Sequence, residues 1–122
     1  MASDAQTTIQ ELKGLVAAFA RDRDWDQFHS PKNLSMALAV EAAELMELFQ
    51  WKTEQESREI ATDPDLHQRV AEELADIAYF LFNLCNRLDL DLASAFVSKL
   101  QQNAAKYPVD RVRGKASKYT HY

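Results

Sequence analysis

The sequence predicts a protein built only of α-helices. Glycine and proline, which interrupt helices, account for only two and three of the 122 residues. Hydrophobic residues make up 47% of the chain, which is enough for a buried core. In several long segments the apolar residues recur every three or four positions, the spacing that places them on one face of a helix.

Each predicted helix begins at a side chain that can cap its first turn. Thr8 and Glu11 form a capping-box pattern at the start of the first helix, which is predicted to end near Arg23. Ser30 and Asp63 each precede a proline, which is typical of a helix start. We therefore predict four long helices, over residues 8–23, 30–51, 63–88 and 91–107, and a short exposed helix within 53–61.

The composition also limits the classes of function. The net charge of −5 disfavours duplex nucleic acid as a partner, and no apolar run is long enough to cross a membrane. The single cysteine, Cys85, cannot form a disulfide within the chain and is expected to be a buried thiol. We therefore expect one cytoplasmic domain over residues 1–122, with flexible ends at 1–6 and about 109–122. The second of these ends is basic, and it is either a solvated tail or a flap over an anionic ligand.

Two acidic doublets stand out within the helical pattern. Glu41 and Glu44 lie three residues apart in the second long helix, and Glu73 and Asp76 have the same spacing in the third. Each pair therefore shares a helix face, where like charges repel by about a few tenths of a kcal/mol. Glu41 also falls in the middle of an apolar stripe, which consists of Leu34, Ala37, Leu38, Leu45 and Leu48. A carboxylate in that position must be protonated, paired or bound to a cation.

Packing of the second helix against the third would bring the two doublets together. Four hard oxygen ligands suit Mg²⁺, and Mn²⁺ is a second choice. Solvated helix faces and ion pairs with Lys99 or Arg87 are the alternatives, but the apolar surroundings of Glu41 disfavour the first, and four acids exceed the nearby cations. A di-iron centre is disfavoured because none of the three histidines has the Glu-x-x-His spacing. With neither a glycine-rich phosphate loop nor an activated nucleophile, the pattern favours metal-assisted attack of water on phosphorus.

Three aromatic rings lie in the connector between the first two helices. Trp25, Phe28 and His29 can either seal the end of a helical bundle or form a wall for a planar ligand. Spacing alone favours the seal.

Two other segments carry residues that could complete a site. Phe80 lies on the same side of its helix as the second doublet, whereas Tyr79 is expected to face elsewhere and pack against a neighbour. Lys99 and Asn103 interrupt the apolar stripe of the last long helix. They either extend along that stripe to water or reach the acidic site and a phosphate held there.

These spaced motifs resemble the all-α nucleotide pyrophosphohydrolase superfamily, the group of MazG-like enzymes. Its signature is an E-x-x-E doublet followed in a later helix by E-x-x-D, which this chain matches at Glu41, Glu44, Glu73 and Asp76. Other segments resemble the dCTP pyrophosphatase branch: RDWDQFH at 23–29, PKNL at 31–34, ELMELFQW at 44–51, Lys99, Asn103, KYP at 106–108 and SKYT at 117–120. Several spaced motifs that agree are far more specific than one doublet.

The resemblance implies a four-helix-bundle-like, MazG-type fold that assembles as homodimers, often paired into homotetramers. It implies that the four acids hold Mg²⁺ and serve catalysis, and that a nucleoside triphosphate is hydrolysed to monophosphate and pyrophosphate. The implied substrate is dCTP or a related, modified dNTP, whose removal cleans the nucleotide pool. The implied substrate-binding residues are Trp25, His29, Trp51, Phe80, Lys99, Asn103 and Lys106. Phe80 departs from the tyrosine expected there in vertebrate dCTP enzymes, and this departure concerns the base pocket.

Two other functions compete with this hypothesis. One is hydrolysis of phosphoribosyl-ATP by a related all-α fold, to which the connector and the tail are poorly matched. The other is a helical oligomerisation or nucleotide-binding module without enzymatic activity. Such a module would keep the apolar stripes but would not need four acids.

Overall fold

The structure is a computed structural model that describes residues 2–116 and 118–121. That part of the chain forms six α-helices and no β-strand, which confirms the all-α prediction. The helices are α1 (Ile9–Asp22), α2 (Pro31–Glu47), α3 (Glu54–Arg58), α4 (Pro64–Arg87), α5 (Leu92–Lys106) and α6 (Val109–Val112). Short 3₁₀ turns occupy Asp26–Phe28, Ile60–Thr62 and Tyr119–His121. Across the described residues, every helix is too short or too polar to span a bilayer.

The chain divides into two compact units. The first, Met1–Asp89, contains α1 to α4, and the second, Leu90–Tyr122, contains α5 and α6. The single domain and the four-helix bundle expected from the sequence both stay predictions.

The helices begin where the sequence predicts. Thr8, Ser30, Asp63 and Asp91 each accept a hydrogen bond from the backbone N–H three residues later. Such a bond satisfies a donor that the first turn of a helix leaves unpaired, and replacing the cap with alanine costs about 1 kcal/mol. The short predicted helix is α3, which opens with a reciprocal capping box between Thr53 and Glu56.

The second helix is shorter than predicted. α2 ends at Glu47, and a turn replaces the expected continuation to Trp51. The N–H groups of Leu48 and Phe49 bond to carbonyls three residues earlier, a tighter winding that ends the α-helix.

The core of the first unit lies around α4, which packs against both α2 and α1. The buried apolar side chains are Val16 and Ala20 of α1, Leu34 of α2, and Leu66 and Cys85 of α4. The burial of Cys85 confirms the prediction of a buried thiol. Packing of α2 on α4 brings Glu41 of the first acidic doublet to Glu73 and Asp76 of the second.

Candidate functional site

Three of the four predicted acids meet where α2 packs on α4. Carboxylate oxygens of Glu41, Glu73 and Asp76 all lie within 4.8 Å of one another. Glu41 and Glu73 are partly buried, whereas Asp76 is exposed. Glu44 is exposed on the next turn of α2 and lies outside this set. Glu41 of the first doublet therefore faces both acids of the second, and a place for Glu44 in the same site stays a prediction.

Two oxygens of this acidic cluster lack hydrogen-bond donors. Oε2 of Glu41 and Oε2 of Glu73 are buried, and within the described part of the chain no donor reaches either atom. A buried carboxylate oxygen without a donor is costly, so such an atom calls for a proton or a cation. All the ligand atoms that the cluster offers are hard carboxylate oxygens, so it could hold a metal ion.

The same surroundings raise the pKa of Glu41 from 4.5 to about 7. Burial is the largest cause, because it disfavours the charged carboxylate. A protonated Glu41 can also hydrogen-bond to Glu44 and Glu73, and the charges of Glu44 and Asp76 add repulsion against ionisation. Both hydrogen bonds require the proton on Glu41. They are absent when Glu41 is ionised, which agrees with the unpaired Oε2 of Glu41 among the described residues.

A cavity of about 430 Å³ opens beside the cluster. Its lining residues are Leu15, Val16, Phe19, Trp25, Glu41, Asp76, Tyr79 and Phe80. Two cluster acids thus form one side of a pocket whose other walls are apolar and aromatic. Its volume is within the range typical of small-molecule sites, about 300–1,000 Å³.

The aromatic walls contact one another edge to face. Phe19 lies 5.8 Å from Trp25 and 5.8 Å from Tyr79, measured between ring centroids. Tyr79 in turn lies 5.1 Å from Phe80. The guanidinium of Arg23 covers the Phe19 ring at 3.6 Å, which is a cation–π distance.

Tyr79 lines the cavity, although its position in the sequence pattern predicts that it faces elsewhere. It packs on Phe19 of α1 as a neighbour contact, but it also lines the cavity. Its hydroxyl is buried without a hydrogen-bond partner in the described chain, and burial raises its pKa. The missed signal is the helical spacing, because Tyr79 and Phe80 follow Asp76 by three and four residues and so share its face. No comparable spacing marks Leu15, Val16 and Phe19 as cavity residues, because an apolar residue of α1 looks the same in the sequence whether it lines a cavity or packs in the core.

The structure brings only some of the predicted binding residues to this cavity. Trp25 and Phe80 line it. His29 is not a lining residue, although its ring lies 6.3 Å from that of Trp25. Trp51 also lies outside the lining and is 89% exposed.

The predicted phosphate-binding residues belong to the second unit. Lys99, Asn103 and Lys106 follow one another at spacings of four and three along α5, so they share one helix face. Asn103 is partly buried there, and Lys99 is exposed. Their role toward a nucleotide stays a prediction.

Comparison with known proteins places the chain in a family. The model of the MazG-like family matches residues 36–121, which include both acidic doublets. The chain belongs to the MazG-like family. The match begins after the connector that carries Trp25 and His29, so these two residues lie outside it.

Individual relatives extend the similarity to nearly the whole chain. The dCTP pyrophosphatase 1 of Rattus norvegicus is 44% identical over 115 residues, covering 94% of this chain and 68% of that protein. The dCTP pyrophosphatase 1 of Homo sapiens is 41% identical over 115 residues, with the same coverage of 94% and 68%. The crystal structure of a pyrophosphatase from Archaeoglobus fulgidus superposes with a TM-score of 0.75 at 31% identity, covering 88% of this chain and 99% of that one.

Proposed function

We propose that this protein is a divalent-cation-dependent dNTP pyrophosphatase. It hydrolyses dCTP, or a related or modified dNTP, to the monophosphate and pyrophosphate, and so cleans the nucleotide pool. The observation that carries the proposal is the acidic cluster with two unpaired oxygens, at the side of an aromatic cavity. The relatives named dCTP pyrophosphatase 1 support the reaction and the substrate class.

Mg²⁺ is the proposed ion, with Mn²⁺ as a substitute. Glu41, Glu73 and Asp76 would hold it. Glu44 lies outside this set but interacts with Glu41, and it is proposed as the fourth ligand. A set of carboxylate oxygens matches the ligands that these hard cations prefer. When bound, such an ion supplies positive charge to phosphate oxygens and makes water more acidic.

The carboxylates also have a role in proton transfer. In the proposed reaction, water attacks the α-phosphorus of the nucleotide, and the bond from that phosphorus to the oxygen that bridges it to the β-phosphorus breaks. The attacking water gives its proton to a carboxylate of the cluster, and pyrophosphate leaves with the electron pair of the broken bond. Lys99, Asn103 and Lys106 are proposed to bind phosphate oxygens, since two of them are cations and the third can donate from its amide.

The aromatic walls are proposed to hold the base. Stacking on Trp25 and Phe80 would tolerate any base, because every base has a π-face. Discrimination must therefore come from hydrogen bonds and from the available space. The bulky rings fill much of the space, so a single-ring base fits more easily than a purine, and dCTP is the expected preference. His29 is proposed to help position the base or sugar, and Trp51 to add a stacking surface.

A homodimer is the proposed minimal assembly, and a homotetramer a further step. Several large apolar side chains remain more than half exposed on α1, α2 and the following turn, namely Leu15, Met36, Val40, Met46 and Trp51. Apolar surface of this kind is typical of association. A cytoplasmic location, and the absence of nucleic-acid and membrane partners, stay predictions from the sequence.

A substrate panel tests the function. The purified protein is incubated with each of the four dNTPs and with phosphoribosyl-ATP, with and without Mg²⁺, and the products are identified. We expect Mg²⁺-dependent formation of pyrophosphate, fastest from dCTP. Faster turnover of phosphoribosyl-ATP would favour the related hydrolase. Absence of pyrophosphate from every substrate would favour a module without enzymatic activity.

A further inference from the structure

We infer that Asn83 of α4 is a positioning residue for residues 23–30, the connector between α1 and α2. It holds His29 and thereby fixes the segment that places Trp25 in the wall of the nucleotide cavity, and Arg87 provides a second anchor. This inference deepens the proposed function and rests on it for its meaning in catalysis.

The main anchor is a buried amide. Asn83 is 1% exposed, and its side-chain nitrogen lies 2.9 Å from Nδ1 of His29, which is 54 positions away in sequence. A polar side chain buried this completely needs a partner, and the connector supplies it. An amide nitrogen can only donate, so Nδ1 of His29 accepts. The neutral ring must then carry its proton on Nε2, which leaves His29 with one N–H donor for another group.

The second anchor lies one turn further along α4. Arg87 follows Asn83 by four residues, so both side chains lie on one face of the helix. Its guanidinium forms an ion pair and hydrogen bond with Asp26, in the 3₁₀ turn directly after Trp25. The two side chains are 33% and 43% exposed, so water weakens this pair and the buried Asn83 contact dominates.

The rest of the connector leads Trp25 to the cavity between these anchors. Asp24 turns the chain with a φ of 54°, and the Trp25 N–H then bonds to the carbonyl of Ala20 at 3.0 Å. Trp25 is 42% exposed, and its ring forms edge-to-face pairs with Phe19 and His29. With so much of the residue exposed, the position of its ring depends on how the connector is held. Without the Asn83 contact, the His29 side chain would be free to move, and Trp25 would lose a neighbour that helps to fix its ring.

Asn86 provides a matched control on the same helix. Its side-chain nitrogen donates to the backbone carbonyl of Lys13 at 3.0 Å, which ties α4 to α1 and not to the connector. Asn83→Leu and Asn86→Leu thus each remove one amide hydrogen bond from the same helix. A general loss of packing would affect both variants alike, whereas the positioning role predicts a difference.

The kinetic test compares Asn83→Leu, Arg87→Met and Asn86→Leu with the parent, using dCTP and Mg²⁺. Asn83→Leu should raise KM about threefold to tenfold, since base–aromatic stacking contributes at least that much to binding, and kcat should stay within about twofold. Arg87→Met should raise KM less, and its exposed position allows it to fold even if Asn83→Leu does not. Asn86→Leu should leave KM unchanged. Equal KM increases in the Asn83 and Asn86 variants, or an unchanged KM in both anchor variants, would overturn the inference.

A spectroscopic test is independent of activity. In a Trp51→Phe background, used for spectroscopy only, Trp25 is the single tryptophan of the chain. Acrylamide quenching of Trp25 should increase in the Asn83→Leu and Arg87→Met variants and stay at the parent value in Asn86→Leu. ¹⁵N NMR should show His29 as the Nε2–H tautomer in the parent and a tautomer mixture after Asn83→Leu. If the parent hydrolyses no dNTP, the proposed function fails while these readouts still decide the positioning role; unchanged quenching in both anchor variants would refute it.

Discussion

Replacing Glu41 with glutamine should stabilise the metal-free protein at high pH and at the same time remove most of its activity and Mg²⁺ affinity. The substitution keeps the shape of the side chain and removes the charge of a proposed metal ligand. In the absence of metal, ionised Glu41 faces Glu73 and Asp76 with an oxygen that no donor among the described residues reaches. Glutamine relieves that repulsion, so the sign of its effect on stability differs from that on activity.

The size of the effect follows from the pKa of Glu41. Its value rises from 4.5 to about 7 on folding, and each tenfold change in proton affinity is worth about 1.4 kcal/mol, so the upper limit is about 3.4 kcal/mol. Glu41 is only partly buried, so solvent screening reduces the expected effect to about 1–2 kcal/mol. A raised pKa means that the proton on Glu41 stabilises the fold below pH 4.5. That stabilisation is lost as the pH rises through about 7.

Denaturant unfolding in EDTA at pH 5 and pH 8 measures this effect. At pH 5 Glu41 is largely neutral in the folded state but already partly ionised in the unfolded state, so the free energy of unfolding of Glu41→Gln should exceed that of the parent by only a minor part of the full difference. At pH 8 the variant should be more stable by about 1–2 kcal/mol. Added Mg²⁺ should stabilise the parent more than the variant, because only the parent keeps the full ligand set.

Glu72→Gln is the matched control. Glu72 is an exposed α4 residue that directly precedes Glu73 in sequence and lies outside the cluster, so its substitution should change neither the pH dependence nor the response to Mg²⁺. A Glu41→Gln variant clearly less stable than the parent at pH 8 in EDTA would contradict the repulsion assigned to ionised Glu41. Glu41 would then be a partner in a structural ion pair.

Other substitutions test the cavity and the assembly. His29→Ala should narrow the gap in kcat/KM between dCTP and the other dNTPs, and equal values for all four in the parent would remove the base-reading role. Trp51→Ala should raise the Kd of every dNTP, and unchanged Kd values would exclude Trp51 from the site. Tyr79→Phe removes a buried hydroxyl that has no hydrogen-bond partner among the described residues, so the free energy of unfolding should stay equal or rise by up to about 1 kcal/mol. A fall would show that the hydroxyl does form a hydrogen bond. Light scattering at micromolar concentration should report at least a dimer, and a monomer would contradict the proposed assembly.

The acidic cluster could be predicted because it breaks a pattern. Glu41 stands where the apolar stripe of α2 requires a hydrophobic residue, so the sequence alone reveals the conflict between its charge and burial. The helix starts could also be predicted, because side chains such as Ser30 and Asp63 act on their own backbone within one turn. Both signals are local, so the sequence contains them in full.

The cavity wall and the connector depend on contacts distant in sequence. Val16 and Phe19 belong to an apolar stripe, and only the packing of α1 decides which of its side chains remain next to open space. The pair of Asn83 and His29 spans 54 positions, so neither residue reveals its partner. The early end of α2 at Glu47 likewise reflects a change in backbone winding. The sequence does not reveal this change, because Leu48 and Gln50 beyond it are compatible with a continued helix.

The most direct test of the proposed chemistry is hydrolysis of dCTP in ¹⁸O-labelled water with Mg²⁺. Attack of water on the α-phosphorus, followed by departure of pyrophosphate, must place the labelled oxygen in dCMP. We predict one ¹⁸O atom in dCMP and none in pyrophosphate, as read by mass spectrometry. Label in pyrophosphate would show attack at the β-phosphorus and would contradict the mechanism assigned to the acidic cluster.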